Sequence, residues 1–146
     1  MQDLLLIKLQ SYLAVHYPDM LLALREEGKE EVFIREKVEG ISGQMEELLN
    51  AGTPAYMVEI YCMDVLIDSL GPSRYDYIYN ILEDEFEKRL AAFERLGITL
   101  YEIISIIIDC GDLLHEFDEE DRLLKYAVIG VVANYFANPE TVSHAV

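Results

Sequence analysis

Asp112 and His115 are the pair of residues whose spacing comes nearest to a metal site. On a helix they share one face, with Asp109 one turn earlier and Glu116 beside the imidazole. A dinuclear carboxylate site in a helical bundle needs two such pairs and two further inward acids, and within a single predicted helix the sequence offers one pair. A mononuclear site needs a supported ligand shell, which Asp109, Asp112 and His115 alone do not provide. We therefore expect no bound metal or cofactor, and a metal-dependent enzyme is the least favoured hypothesis.

Other catalytic patterns are absent from the sequence. It contains no Gly-rich phosphate loop, nucleophile elbow, HExxH or CxxC motif, and the acidic run at 116–121 lacks the alternating ligands and central glycine of a calcium loop. Cys62 and Cys110 each lie inside an apolar helical pattern, which favours buried free thiols over a disulfide. We predict that the protein is not an enzyme.

Three tyrosines alternate with other residues at the start of a predicted helix. Because positions two apart point in different directions on a helix, they cannot all be buried, and at least one must face solvent. Exposed aromatic side chains beside acids are common at protein interfaces. The sequence thus predicts a possible interaction surface made of Tyr75, Tyr77, Tyr79, Asp76, Glu83 and Glu87.

The charge balance restricts the class of partner. Lys and Arg number 11 against 28 Asp and Glu, a formal net charge of −17, which repels nucleic acid and anionic lipid. We expect no direct nucleic-acid or membrane binding, but rather contact with an unknown protein or self-association through the apolar faces of the first and last helices. The alternative is an acidic decoy that imitates nucleic acid and binds a DNA-handling protein, since carboxylates at i and i+4 lie about 6 Å apart. Its row would include Asp76, Asn80, Glu83, Glu87 and Glu94.

The N-terminal sequence and the longest apolar run predict a cytoplasmic protein. Residues 1–13 lack the basic start of a signal peptide, and the run 103–108 is far shorter than the roughly 20 apolar residues that span a bilayer.

The stretch Thr99–Phe117 is the most apolar in the chain, with large hydrophobic residues on every side of a helical wheel. Such a helix is expected to be buried. Its β-branched run could also suit a strand, but Thr99 and Glu102 form a capping box, which favours a helix. We predict that it is the central helix of the fold.

Start and stop signals divide the remaining chain into amphipathic helices. The predicted segments are 3–16, a second helix from Pro18 closed by Gly28, 29–50 with a break near Gly40, 54–70 capped by Thr53, 73–96 capped by Ser73 and closed by Gly97, and a last helix capped by Asp118. In the segment 54–70, the residues predicted to face inward are Met57, Val58, Ile60, Tyr61, Val65 and Leu66. No internal repeat is visible. The expected fold is all-α, a single compact bundle of six or seven helices with the last two helices in the core, formed by one domain, 1–138, and a flexible tail, 139–146.

Two segments resemble a known family. SRYDYIYNILEDEF, Ser73–Phe86, and SYLAVHYPDM, Ser11–Met20, are similar to helix starts and core positions of a small all-helical family of unknown function from Bacteroides-group bacteria, often carried among mobile-element genes. The resemblance implies an all-α cytoplasmic protein with no established activity or catalytic residues.

Overall fold

A computed structural model describes residues 1–138, so the predicted tail, 139–146, lies outside the described residues. The described chain contains helices and no strand, which confirms the all-α prediction. Its nine α-helices are α1 (Gln2–His16), α2 (Pro18–Glu26), α3 (Glu30–Glu39), α4 (Ser42–Asn50), α5 (Ala55–Asp68), α6 (Arg74–Glu85), α7 (Glu87–Leu96), α8 (Thr99–Cys110) and α9 (Arg122–Ala137), and a 3₁₀ helix, Gly111–Leu114, follows α8.

The chain divides into two compact units, Met1–Gly71 and a second that begins at Pro72. The buried side chains form one cluster in each unit. In the N-terminal unit, Leu5, Leu9 and Leu13 make a fully buried row along α1, because residues four apart share a helix face. They pack with buried side chains of α2 to α5. That residues 1–138 act as one domain and one bundle stays a prediction.

In the C-terminal unit, the last two helices share a core. Ile103 and Ile106 of α8 belong to the same buried cluster as Val128 and Val132 of α9. The helices α6 and α7 add Ile78, Leu82, Leu90 and Phe93 to that cluster.

Two helix breaks explain why nine helices form where six or seven were predicted. The expected break near Gly40 is present, since α3 ends at Glu39 and α4 begins at Ser42. A second break, at Phe86, was not predicted, because neither glycine nor proline stands there. It allows the Phe86 ring to lie 5.3 Å from the ring of Phe136, so tertiary packing sets the end of α6.

The prediction that Thr99–Phe117 forms a helix buried on all sides is wrong. The α-helix ends at Cys110, and Tyr101 and Ile108 are 64% and 71% exposed. The expected capping box is also absent: Ile98 occupies the N-cap, no side chain caps the first turn, and Glu102 is buried. An apolar residue on a helical wheel need not be covered, because a helix on the outside of a unit buries one face only.

Other helix starts agree with the sequence in part. The Ser73 hydroxyl accepts a hydrogen bond from the amide of Asp76 at 3.0 Å, as predicted. The residue that caps α9 is Asp121 rather than Asp118, because Asp118 instead closes a turn in the loop before the helix. Pro54 stands at the N-cap of α5, one residue after the predicted cap.

The two units repeat one helix pattern at a distance of 69 or 70 positions along the sequence. Phe86 follows Tyr17 by 69 positions, and each interrupts a helix for one residue, with φ −132° and ψ 46° at Tyr17 against φ −137° and ψ 42° at Phe86. The next helix in each unit is followed by a left-handed glycine, Gly28 with φ 69° and Gly97 with φ 70°. These glycines are separated by the same 69 positions.

Buried side chains keep the same register. At a separation of 69, the pairs buried in both units are Leu9 and Ile78, Leu13 and Leu82, Leu21 and Leu90, Ile34 and Ile103, Ile41 and Cys110, and Met45 and Leu114. At a separation of 70, α5 and α9 pair Val58 with Val128, Cys62 with Val132, and Leu66 with Phe136.

The expectation of no internal repeat is therefore wrong. Most of the paired positions conserve hydrophobic character without conserving the residue itself. The repeat is consequently visible in burial and backbone geometry more than in residue identity. The 3₁₀ helix stands where the first unit has α4.

Candidate interaction surfaces

The proposed metal ligands do not form a site. Because α8 ends at Cys110, Asp112 lies in the 3₁₀ helix and His115 follows it in an extended conformation, so the helical spacing that suggested a ligand pair is absent. Asp109, Asp112, His115 and Glu116 are all exposed. Within residues 1–138, no group of three or more His, Cys, Asp or Glu side chains is placed to hold a metal ion.

The predicted tyrosine surface is divided between core and exterior. Tyr77 is buried, with its ring 4.9 Å from that of Phe117, so it is not available to a partner. Its hydroxyl has no hydrogen-bond partner in the described part of the chain. Tyr75 and Tyr79 are half-buried and stack with ring centroids 6.5 Å apart. Two of the three tyrosines thus remain at the surface.

Acidic neighbours act on these two rings. The Tyr79 hydroxyl donates a hydrogen bond to Glu94 at 2.8 Å, and this bond is the main reason why the pKa of Tyr79 is raised. Burial raises the pKa of Tyr75, with smaller contributions from Asp76 and Glu94. Both hydroxyls therefore stay protonated at neutral pH, and the surface offers aromatic rings rather than phenolate charges.

Glu83 and Glu87 are exposed, but they belong to different helices. Glu83 lies on α6, whereas Glu87 is the first residue of α7, after the break at Phe86. The row of acids at i and i+4 that would imitate phosphates on a continuous helix is therefore interrupted.

An exposed apolar strip runs along α8. We define the α8 strip as Leu100, Tyr101, Ile104 and Ile108, which lie on one side of the helix, whereas the buried side carries Ile103, Ile106 and Cys110. All but the half-buried Ile104 are exposed. From Leu100 to Ile108 the strip extends about 12 Å.

A second apolar face lies on α5. Met57, Ile60 and Tyr61 are exposed together with Tyr56, so the inward prediction is wrong for these three residues. It is confirmed for Val58 and Leu66, which are buried with Cys62, while Val65 is half-buried. An apolar pattern around most of a helix does not indicate which side packs.

A buried acid in α8 was missed by sequence reasoning. Glu102 is 1% exposed, and the hydroxyl of Tyr135 on α9 donates a hydrogen bond to its carboxylate. Burial, and then this bond, raise the pKa of Tyr135, so the tyrosine remains a donor. The other carboxylate oxygen has no partner within residues 1–138. The signal that the sequence offers is a lone acid in an apolar helix, and the prediction that Glu102 caps the first turn is wrong.

A groove of about 410 Å³ lies between α1 and α3. Leu6, Ile7 and Ile34 supply apolar lining, while charged side chains around it pair with one another. Arg25 contacts Glu30 at 2.9 Å, and Arg35 contacts Glu31 at 2.8 Å. The hydrogen bond with Arg25 lowers the pKa of Glu30.

Both cysteines are free and buried. Burial raises the pKa of Cys62, and it raises the pKa of Cys110 to about 11. Because the thiolate is the reactive form, neither side chain is activated as a nucleophile.

The fold and these surfaces define an all-helical acidic protein with two copies of one helix pattern and an exposed apolar helix face. The chain belongs to the family described as "Domain of unknown function (DUF1896)", whose model matches residues 4–138. The expected membership of a family of unknown function is thereby confirmed. No curated protein and no solved structure matches the chain. None of the described helices is both long and apolar enough to cross a membrane.

Proposed function

We propose that this protein is non-enzymatic and acts in the cytoplasm by binding another protein. The observation that supports the proposal is the α8 strip, an exposed row of large apolar side chains in a chain of net charge −17. The same proposal includes what the sequence resemblance implies, namely a protein of Bacteroides-group bacteria that is encoded among mobile-element genes.

The composition of the α8 strip fits the centre of a protein interface. Contiguous exposed apolar patches usually mark interaction sites, and interface centres are enriched in aromatic residues and poor in charge. Tyr101 provides the aromatic ring, and Ile108 provides the most exposed aliphatic side chain of the strip. Covering apolar surface is favourable by about 25 cal/mol per Å², so a matching partner gains from contact here.

Photo-crosslinking in the source cell tests the proposal. A photoreactive amino acid replaces Ile108 in one variant and the exposed Asn80 of α6 in a matched control. We expect a discrete crosslinked protein from position 108 and none of the same mass from position 80. Adding Tyr101→Ser to the position-108 variant should reduce the yield, because it removes most of the aromatic contact.

Two results would contradict the proposal. One is the absence of any crosslinked product from position 108 in cells that contain folded protein. The other is an identical set of products from both positions, which would indicate random collisions.

A further inference from the structure

The internal repeat separates side chains that the fold requires from side chains that it does not. On α3, the counterparts of Leu100, Ile104 and Ile108 are Glu31, Arg35 and Glu39, each 69 positions earlier and each exposed. The same place in the same helix pattern therefore tolerates charged, solvated side chains. Folding does not explain why α8 carries three large aliphatic residues there.

The segment that carries the strip is acidic in sequence, although Arg74 of α6 donates a hydrogen bond to the carbonyl of Leu114 at 2.9 Å. Residues 99–121 contain no Lys or Arg. Asp109 directly follows the strip, Asp112 and Glu116 come next, and all three are exposed. Within residues 1–138 none of them forms an ion pair. The C-terminal end of α8 adds partial negative charge from its free carbonyl groups.

The remaining surface tyrosines extend the apolar character to α6. In the N-terminal unit, the α1 side of the groove beside α3 is lined by Leu6, Ile7 and Gln10. Their counterparts, 69 positions later, are Tyr75, Asp76 and Tyr79. The tyrosine pair thus occupies the wall equivalent to the α1 side of that groove. Both rings pack against the cluster to which α8 contributes.

We propose that the α8 strip binds a basic amphipathic helix of another protein, an inference that rests on the proposed function. The apolar face of that helix packs on Leu100, Ile104 and Ile108, and its Lys or Arg side chains lie over Asp109 and Asp112. Charge complementarity selects this occupant. A second copy of the chain also carries a net charge of −17 and would be repelled, and an acidic helix would meet unpaired carboxylates.

Synthetic peptides provide the test. The probe is a fluorescent peptide of about 15 residues, long enough for a helix, with Leu at i, i+3, i+4 and i+7 and Lys elsewhere. A matched peptide carries Glu in place of every Lys. Binding to the full chain is measured by fluorescence anisotropy at about 0.1 M salt, where long-range attraction is screened.

Three variants locate the binding site. The first variant transplants the residues of α3 through Leu100→Glu, Ile104→Arg and Ile108→Glu. It keeps Asp109 and Asp112 and adds a single net negative charge, and it should weaken binding at least tenfold, roughly the effect of losing an interface centre. Asp109→Asn with Asp112→Asn should weaken it about threefold to tenfold. The control, Glu46→Gln with Glu47→Gln, removes the same charge from exposed positions on α4 in the other unit and should change affinity less than about twofold.

Several outcomes would overturn the inference. If the Lys peptide binds the wild type and the transplanted variant with equal affinity, the binding site lies elsewhere. If the two charge variants lose affinity equally, the peptide responds to the net charge of the protein and not to a specific site. A dimer in sedimentation that the transplanted variant dissociates would make a second copy the occupant. If only the Glu peptide binds, and its binding depends on the α8 strip, the basic partner is rejected but the proposed function stands. Circular dichroism shows whether each variant is folded. If the transplanted variant does not fold, the single substitution Ile108→Ser replaces it in the binding assay.

Discussion

Tyr135→Phe is expected to destabilise the C-terminal unit far more than the loss of one hydroxyl from a surface tyrosine. The Tyr135 hydroxyl donates the only hydrogen bond that the Glu102 carboxylate accepts within residues 1–138. Glu102 is fully buried, so water cannot replace the missing donor. The substitution leaves a buried acid with both oxygens unpaired while it preserves the aromatic ring.

The expected loss follows from the cost of an unsatisfied buried group. An ordinary hydrogen bond contributes about 0.5 to 1.5 kcal/mol net, and leaving a buried partner unsatisfied costs about 1 to 3 kcal/mol. We therefore expect a loss of about 1 to 3 kcal/mol, a large part of a typical total stability of roughly 5 to 15 kcal/mol. Tyr126→Phe makes the same chemical change on the same helix at a site 66% exposed. It should cost less than about 0.5 kcal/mol.

Urea unfolding followed by circular dichroism measures these losses as changes in the free energy of unfolding. A double-mutant cycle with Glu102→Met then isolates the pair, because replacing both partners by apolar groups is often nearly neutral. The N-terminal unit supports that expectation, since the counterparts of Glu102 and Tyr135 are the apolar Phe33 and Val65. If Tyr135→Phe costs no more than Tyr126→Phe, Glu102 does not depend on this bond and the reasoning fails.

Two further predictions concern α8 and the thiols. Ile106→Ala should lower the free energy of unfolding by about 2 to 5 kcal/mol because the Ile106 side chain is fully buried. Ile108→Ala should lower it by less than about 0.5 kcal/mol in the same urea assay. Similar losses would mean that the buried face of α8 is misassigned. Cys110 should resist iodoacetamide in the native protein at neutral pH and react in urea. Since burial raises its pKa from 9.0 to about 11, the folded state keeps a proton that the unfolded state loses, so stability should fall as pH rises from about 9 to 11. Cys110→Ala should show a shallower fall, and equal slopes would contradict this assignment.

Local signals in the sequence predicted many helix boundaries correctly. Pro18 begins α2, Ser73 caps α6, and Gly28 and Gly97 adopt the left-handed conformation. Each signal depends on the backbone chemistry of one or two residues: a fixed φ, a hydroxyl acceptor, or the absence of Cβ. Such properties act wherever the residue stands, so they can be read without the tertiary structure.

The side on which an apolar helix packs could not be predicted in the same way. On α5 and α8 large hydrophobic residues occupy most of the circumference, and the periodicity gives no direction. The break at Phe86 and the inward position of Glu102 depend on contacts with Phe136 and Tyr135, which lie far along the chain. The candidate metal site failed for a related reason, because α8 ends before Asp112.

The internal repeat distinguishes side chains that the core requires from side chains that it does not, which hydrophobic periodicity alone cannot do. Positions that are buried in both units, such as Leu13 and Leu82, report what the helix pattern needs in order to fold. Where equivalent positions of the two units carry chemically different side chains, folding does not require either type of side chain there. Ile108 faces solvent where Glu39 does, so packing in the core does not account for its aliphatic side chain. Within one chain, the N-terminal unit thus serves as the reference against which the surface of the C-terminal unit can be interpreted, and by that reference the α8 strip is where binding should be sought.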